Sequence, residues 1–380
     1  LETDMQNQDI PSSAGWRIGE SICMELDLAL SAITGQFEDA VLPEDLFTFL
    51  QSLPPDWKTE LRALIGDSRG FYSILESGAV LADVLTESDY SQATLAIREL
   101  SVGAALERLT GQAASLGIEP QVGLSPASQL IDLYVRLRAA AYQALGFNLS
   151  MTGLQVLEMR RDIEITVHIL DGEDLHARFW HWLDRFYYEA YRPWRQARND
   201  VVEGAMERAS VVLGGRNKTG VAPDIAWLPA QSPILRYPEF TNAVNSGKVT
   251  VYFWGQPFGM SDSWSLLPGL LICSFDEPGA LYKNFLTYAD DLAKRAHALA
   301  DPTRLMILRI IRYFGMDNTE IAAFLGLSRP TVSIHARILR EAGLIRTHAD
   351  GRSVRHELNT PEVRRLFEEL EKFLALPEET

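Results

Sequence analysis

The side chains whose types and spacing could do chemistry lie in Ser328-Arg329-Pro330-Thr331-Val332-Ser333-Ile334-His335-Ala336-Arg337. Ser328 reads as a helix cap, because its hydroxyl can accept from a free backbone N–H at the start of a helix. Behind it Arg329, Thr331, Ser333, His335 and Arg337 offer short hydroxyls and longer cations along the first turns. Such a set hydrogen-bonds base edges and neutralises phosphates, which is recognition rather than bond breaking. A second concentration falls at residues 179–194, where eight aromatics occur within sixteen residues, among them Trp180, Trp182, Tyr187 and Tyr191. Aromatics on both faces of a helix could line an apolar ligand pocket made partly polar by phenol and indole groups. Core packing and a dimer contact are the competing readings.

The elements that must position the first set are legible around it. Asp301-Pro302 places a capping residue before a proline and predicts a helix over residues 303–314, ended by Gly315. Asn318 is expected to cap a short helix over 319–325, and Gly326 makes the turn. Ser328 then opens a helix over 329–341 that Gly343 stops. Leu325, Leu327, Val332 and Leu339 fit an apolar face joining the two helices. Residues 345–348 and 353–356 flank Asp350-Gly351, a hairpin signal, with Arg352 beside the turn. Amphipathic helices are expected over 281–299 and 361–374. Two short helices followed by a basic hairpin form a winged helix-turn-helix, whose second helix can lie in the major groove.

These motifs resemble the arsenic-repressor (ArsR) family of winged-helix regulators over residues 287–375. The resemblance is carried by Asp301-Pro302-Thr303-Arg304-Leu305, Glu320-Ile321-Ala322, Leu327-Ser328-Arg329-Pro330-Thr331-Val332-Ser333, His335, Leu339-Arg340-Glu341-Ala342-Gly343-Leu344-Ile345 and Asp350-Gly351-Arg352. It covers about a quarter of the chain, and the overall order is similar to a subgroup with a large N-terminal extension. The resemblance implies a transcription regulator of the repressor kind, with Arg329, Thr331, Ser333 and His335 on bases or phosphates and Arg352 on backbone or minor groove. Departures bear on the signal. The arsenic and cadmium sensors of the family carry cysteines where residues 319–325 have none, and the zinc sensors carry histidine on a last helix that has none here. No metal and no cofactor is therefore expected.

The whole chain of 380 residues carries 35 basic and 51 acidic side chains, a net charge of -16 that by itself opposes DNA binding. The average hides a domain. Residues 290–356 hold eleven Lys and Arg against seven Asp and Glu, and the remainder carries the acidic excess. Two domains are expected: 1–279, a mostly helical sensor or oligomerisation domain with a few strands, and 280–380, the winged helix. The fold class is mainly α with small β elements.

In the larger domain helical spacing appears over 18–33, 45–53, 58–65, 93–109, 128–145 and 174–213, the last interrupted near Pro193. Strict alternation over 163–169 predicts a strand, as do 248–254 and 267–275, and Gly214-Gly215-Arg216-Asn217 predicts a turn. Residues 214–220 lack the spacing of a phosphate loop, and no nucleophile or metalloprotease motif occurs. An enzyme or a protein-interaction domain fused to the winged helix is the alternative to a regulator.

Cys23 and Cys273 build neither a disulfide framework nor a zinc site, and no apolar run approaches the ~20 residues of a membrane span. The opening 1–13 lacks the basic start and apolar stretch of a secretion signal, and Leu1 in place of Met points to an incomplete or processed start. The expectation is a cytoplasmic homodimer that binds double-stranded DNA, with no membrane contact and a small-molecule effector acting through the larger domain.

Overall fold

The computed structural model describes residues 16–35, 44–66, 72–144, 153–217, 238–258, 264–274, 280–350 and 353–374. Two compact units divide the chain, Leu1–Leu281 and Tyr282–Thr380. The larger is mainly helical around one small sheet. Its helices are α1 (Ile22–Thr34), α2 (Glu44–Ser52), α3 (Pro55–Ile65), α4 (Ile74–Ala82), α5 (Tyr90–Arg98), α6 (Val102–Ala114), α7 (Pro126–Ala144), α8 (Leu154–Asp171), α9 (Glu173–Phe186), α10 (Arg192–Gln196), α11 (Asn199–Asn217) and α12 (Pro238–Asn245). The strands β1 (Trp16–Gly19), β2 (Thr250–Trp254), β3 (Trp264–Leu267) and β4 (Leu270–Ser274) lie in the order β1-β2-β4-β3. β2 runs parallel to β1 and β4, whereas β3 is antiparallel to β4.

Several expectations change. Residues 163–169 belong to α8 and form no strand. The buried positions 162, 163, 166, 167 and 169 continue the spacing of Val156 and Met159 along one side of a helix. A helix over 93–109 is two helices, because Ser101 accepts from the N–H of Ala104 and starts α6 afresh. α11 runs through the glycines at 214–217. The strand over 267–275 is divided by Pro268-Gly269 into the end of β3 and β4, with Gly269 at φ 75°. The first four residues of the helix expected over 18–33 stand outside α1, two of them in β1.

α1 is buried along its whole length, including its charged residues Glu25 and Asp27. Buried carboxylates persist only where hydrogen bonds replace water. Asp27 accepts from the backbone N–H groups of Leu75 (3.0 Å) and Glu76 (2.7 Å), and Asp162 of α8 accepts from the N–H of Ser73 (2.6 Å). Carboxylates from α1 and α8 thus occupy the N-terminus of α4, where the helix dipole favours negative charge. Glu76 itself pairs with Arg138 of α7 at 2.5 Å and accepts from the Ser265 hydroxyl of β3 at 2.5 Å. Glu25 accepts from Tyr191 (2.7 Å) and from Arg195 Nε (2.9 Å).

The smaller unit holds α13 (Ala280–Leu299), α14 (Pro302–Phe314), α15 (Asn318–Leu325), α16 (Arg329–Glu341), the hairpin β5 (Ile345–Asp350) and β6 (Ser353–Leu358), and α17 (Thr360–Phe373). The cap of α14 is Asp301, as its sequence implies, whereas α15 is capped by Asp317 rather than Asn318, in a reciprocal arrangement with Glu320. Ile307, Ile310, Ile321, Val332, Ala336 and Leu339 fill the core. Leu327, expected there, is exposed. Arg304 is buried, and its guanidinium donates to the carbonyls of Ala298 (2.6 Å) and His297 (2.8 Å), the open end of α13. Replacing Arg304 by alanine strands both acceptors and should cost this unit about 2 to 3 kcal/mol. Denaturant unfolding followed by circular dichroism would show it, and an unchanged midpoint would rule that role out.

Candidate nucleic-acid interface

α16 is placed by its two ends and its inner face. Ser328 is extended and accepts from the N–H of Thr331 at 3.2 Å, and the turn before it passes through Gly326 in the left-handed region at φ 65°. Val332, Ala336 and Leu339 anchor one face in the core. The flank next to that face carries Arg329, Ser333, Arg337 and Arg340 at helical spacing, all exposed. Together with Asp317, Asn318 and Thr319 at the start of α15, and Val354 and His356 of the wing, these four line a groove. The N-terminus of the second helix, three guanidinium groups and an adjoining hairpin make a surface suited to a polyanion with readable edges.

Of the residues expected at such a surface, Arg329, Ser333 and Arg337 share the groove; Ser328 and Thr331 are not part of its lining, and their hydroxyls lie 2.7 Å apart. Arg352 lies outside the described residues. His335 does not join them. Its ring sits mostly covered on the other side of α16, with Nδ1 3.8 Å from the Asp301 carboxylate that caps α14. The helical period explains its place, because residue 335 borders the stripe of 332 and 339 on the inner face. Arg340, Asn318, Thr319 and His356 were not among the expected residues. For Arg340 the signal was available, since it continues the spacing of 329, 333 and 337.

His356 is buried beneath the groove. Its Nε2 lies 3.0 Å from Asn318 Oδ1 and its Nδ1 3.2 Å from the Thr347 hydroxyl, while Asn318 Nδ2 donates to Ser333 Oγ at 3.4 Å. Burial, and then the charge of Arg340, hold the imidazole below its usual pKa. In the larger unit burial has the opposite consequence for carboxyls: it pushes Glu25 up to about 7 and Asp162 up to about 6. A depressed histidine contributes stability above its unfolded value of 6.5 that is lost as pH falls. A raised Glu25 contributes stability below its unfolded value of 4.5 that is lost as pH rises through about 7. The two units should therefore change stability in opposite directions between pH 5 and 7.5. All eight tryptophans precede residue 281, so their fluorescence follows the larger unit alone. Parallel pH trends in fluorescence and in the remaining circular-dichroism transition would contradict this.

The aromatic residues at 179–194 occupy other surroundings. Trp180, Trp182 and Tyr191 are buried; Trp182 stacks on Phe186 at 5.3 Å and the Tyr191 phenol is bonded to Glu25. Tyr187 stacks on Tyr90 at 3.7 Å, and the segment Tyr187–Tyr191 is a π-helical turn. His176 is bonded to the carbonyl of Ile169, and His181 is exposed. Among the described residues no group of three or more His, Cys, Asp and Glu is arranged to hold a metal ion, and no helix is long and apolar enough to cross a membrane.

Residues 301–347 match the sequence profile described as bacterial regulatory protein, arsR family. The chain is similar to the probable mercury resistance operon repressor of Streptomyces lividans, 35% identical over 77 residues that make up 20% of this chain and 62% of that protein. It is similar to the transcriptional repressor SdpR of Bacillus subtilis, 36% identical over 63 residues, 17% of this chain and 70% of that protein. With the HTH-type transcriptional regulator CmtR of Mycobacterium tuberculosis it shares 40% identity over 79 residues, 21% of this chain and 67% of that protein. The chain thus spans under two thirds of the first relative and somewhat more of the other two.

Proposed function

Because this chain belongs to the arsR family of bacterial regulatory proteins, we propose that it is a transcription regulator of the repressor kind that binds double-stranded DNA, with α16 in the major groove. The observation that supports this best is the outward stripe of Arg329, Ser333, Arg337 and Arg340 next to the wing. Arg329 and Arg337 contact phosphates or guanine edges, Ser328, Thr331 and Ser333 supply short hydrogen bonds, and Arg352 reaches the backbone beside the wing. One recognition helix reads only a half-site, so the working form is a homodimer on a palindromic operator. Leu286 of α13 and Phe367 of α17 are exposed large apolar side chains and form the contact between copies.

The acidic larger unit, residues 1–279 in this reading, serves as sensor or oligomerisation domain. A non-metal effector bound there would change operator affinity by favouring one spacing of the two recognition helices. The cytoplasm, where the chromosome lies, is the place of action. Genomic-fragment selection with purified protein, followed by affinity at several salt concentrations, tests the reading. An enriched palindrome whose affinity falls steeply with salt supports it. Failure to enrich any fragment, by the full chain and by residues 280–380 alone, would overturn it.

A further inference from the structure

We propose that Asn318 is the positioning residue that sets the wing against the recognition helix and fixes the Ser333 hydroxyl as a donor toward DNA, an inference that rests on α16 being the helix that reads DNA. Its amide stands between two elements that share no backbone hydrogen bond among the described residues: the wing through His356, at 3.0 Å, and α16 through Ser333, at 3.4 Å. The directions of these bonds follow from the groups themselves. A neutral imidazole has one donor and one acceptor nitrogen. With Nε2–H donating to Asn318 Oδ1, Nδ1 is left to accept from the Thr347 hydroxyl. Asn318 then has its NH2 group for Ser333, and one lone pair of the Ser333 oxygen is filled.

A hydroxyl in the middle of a helix ordinarily donates back to the carbonyl four residues earlier, as Thr94, Thr110 and Thr166 do here. Ser333 makes no such bond to Arg329 among the described residues, so its proton is turned toward the groove. The partner it suits is an acceptor on a base edge: N7 or O6 of a purine, or O4 of thymine. The chain of bonds runs from β5 through β6 and α15 to α16, so a displacement of the wing is felt at a side chain in the groove. Asn318 is only partly covered and Ser333 is exposed, so water can replace each bond when it is lost. Stability should therefore depend on this chain of bonds much less than alignment does.

The test uses the full chain, the best fragment from genomic selection, and an unrelated duplex of equal length. Asn318→Ala should weaken binding to the selected fragment roughly 3- to 10-fold, the worth of one hydrogen bond, while affinity for the unrelated duplex and the melting temperature stay unchanged. Ser333→Ala should do the same, and the double variant should be no weaker than Ser333→Ala alone. Thr347→Val alters only the far end of the chain of bonds and should give a smaller loss that disappears in the Asn318→Ala background. Effects that multiply in the double variant would overturn the proposal, as would equal losses on both duplexes. If Asn318→Ala does not fold, the cycle between Thr347→Val and Ser333→Ala decides by the same criterion. Failure of the wild-type chain to prefer any fragment is a different result, since it overturns the reading of α16 before any variant is compared.

Discussion

Replacing Arg329 and Arg337 together by alanine weakens operator binding about 100-fold or more at 0.15 M salt while leaving folding intact. Both side chains are exposed on the stripe of α16 that lines the groove, and neither touches the core. Arg337 is tied only weakly within its helix, at 3.9 Å from Glu341, so it is free to exchange that carboxylate for a phosphate. Each arginine that neutralises a phosphate contributes about 0.9 to the slope of log affinity against log salt, so the double variant should flatten that slope by about 2. Arg304→Ala, measured where that variant is still folded, provides the control for one lost charge, because it removes a guanidinium from a buried site whose partners are backbone carbonyls. A net-charge effect would weaken DNA binding in both cases. If the double variant bound its operator with unchanged affinity and slope, α16 would not be the contact surface.

Arg138→Ala should destabilise the larger unit by about 3 to 5 kcal/mol, the cost of leaving a buried carboxylate without its cation. Glu76 would retain the Ser265 hydroxyl but lose the guanidinium 2.5 Å away, and the Tyr134 hydroxyl, 3.0 Å from the same nitrogen, would lose its donor. Three elements meet at this point, α4, α7 and β3, so the loss should lower the whole transition rather than fray one helix. Urea unfolding followed by tryptophan fluorescence reads this unit specifically. Combining Glu76→Gln with Arg138→Met should recover much of the stability, because an apolar chain of similar length leaves no buried charge. Simple addition of the two single losses would show that the pair is not energetically coupled.

The winged unit was largely legible because its decisive signals are local. Asp301 before Pro302, glycine at 315 and 326, and Ser328 before Arg329 each fix a helix end by chemistry within four residues, and each is found at that end. Orientation was less legible. His335 is as polar as its neighbours, yet a helix buries one stripe whatever its composition, and only the packing of α16 against α14 decides which stripe that is. Charge count misled in the same way, since Arg304 counts toward a basic domain in the sequence but serves as a cap for α13 in the fold.

In the larger unit the sequence by itself determined the mainly helical class and the acidic character, because helical periodicity and charge persist without knowledge of neighbours. It did not determine α8, where seven alternating residues suit a strand and only continuation back to Val156 reveals the helical period. Nor did it determine the carboxylates of Asp27 and Asp162 at the start of α4, or the Glu76–Arg138 pair. Their partners lie 48, 89 and 62 residues away in the chain. Tertiary structure alone decided these, and likewise the contacts of Asn318 with Ser333 and His356. A hydrogen bond depends on distance in space, and a sequence records only separation along the chain.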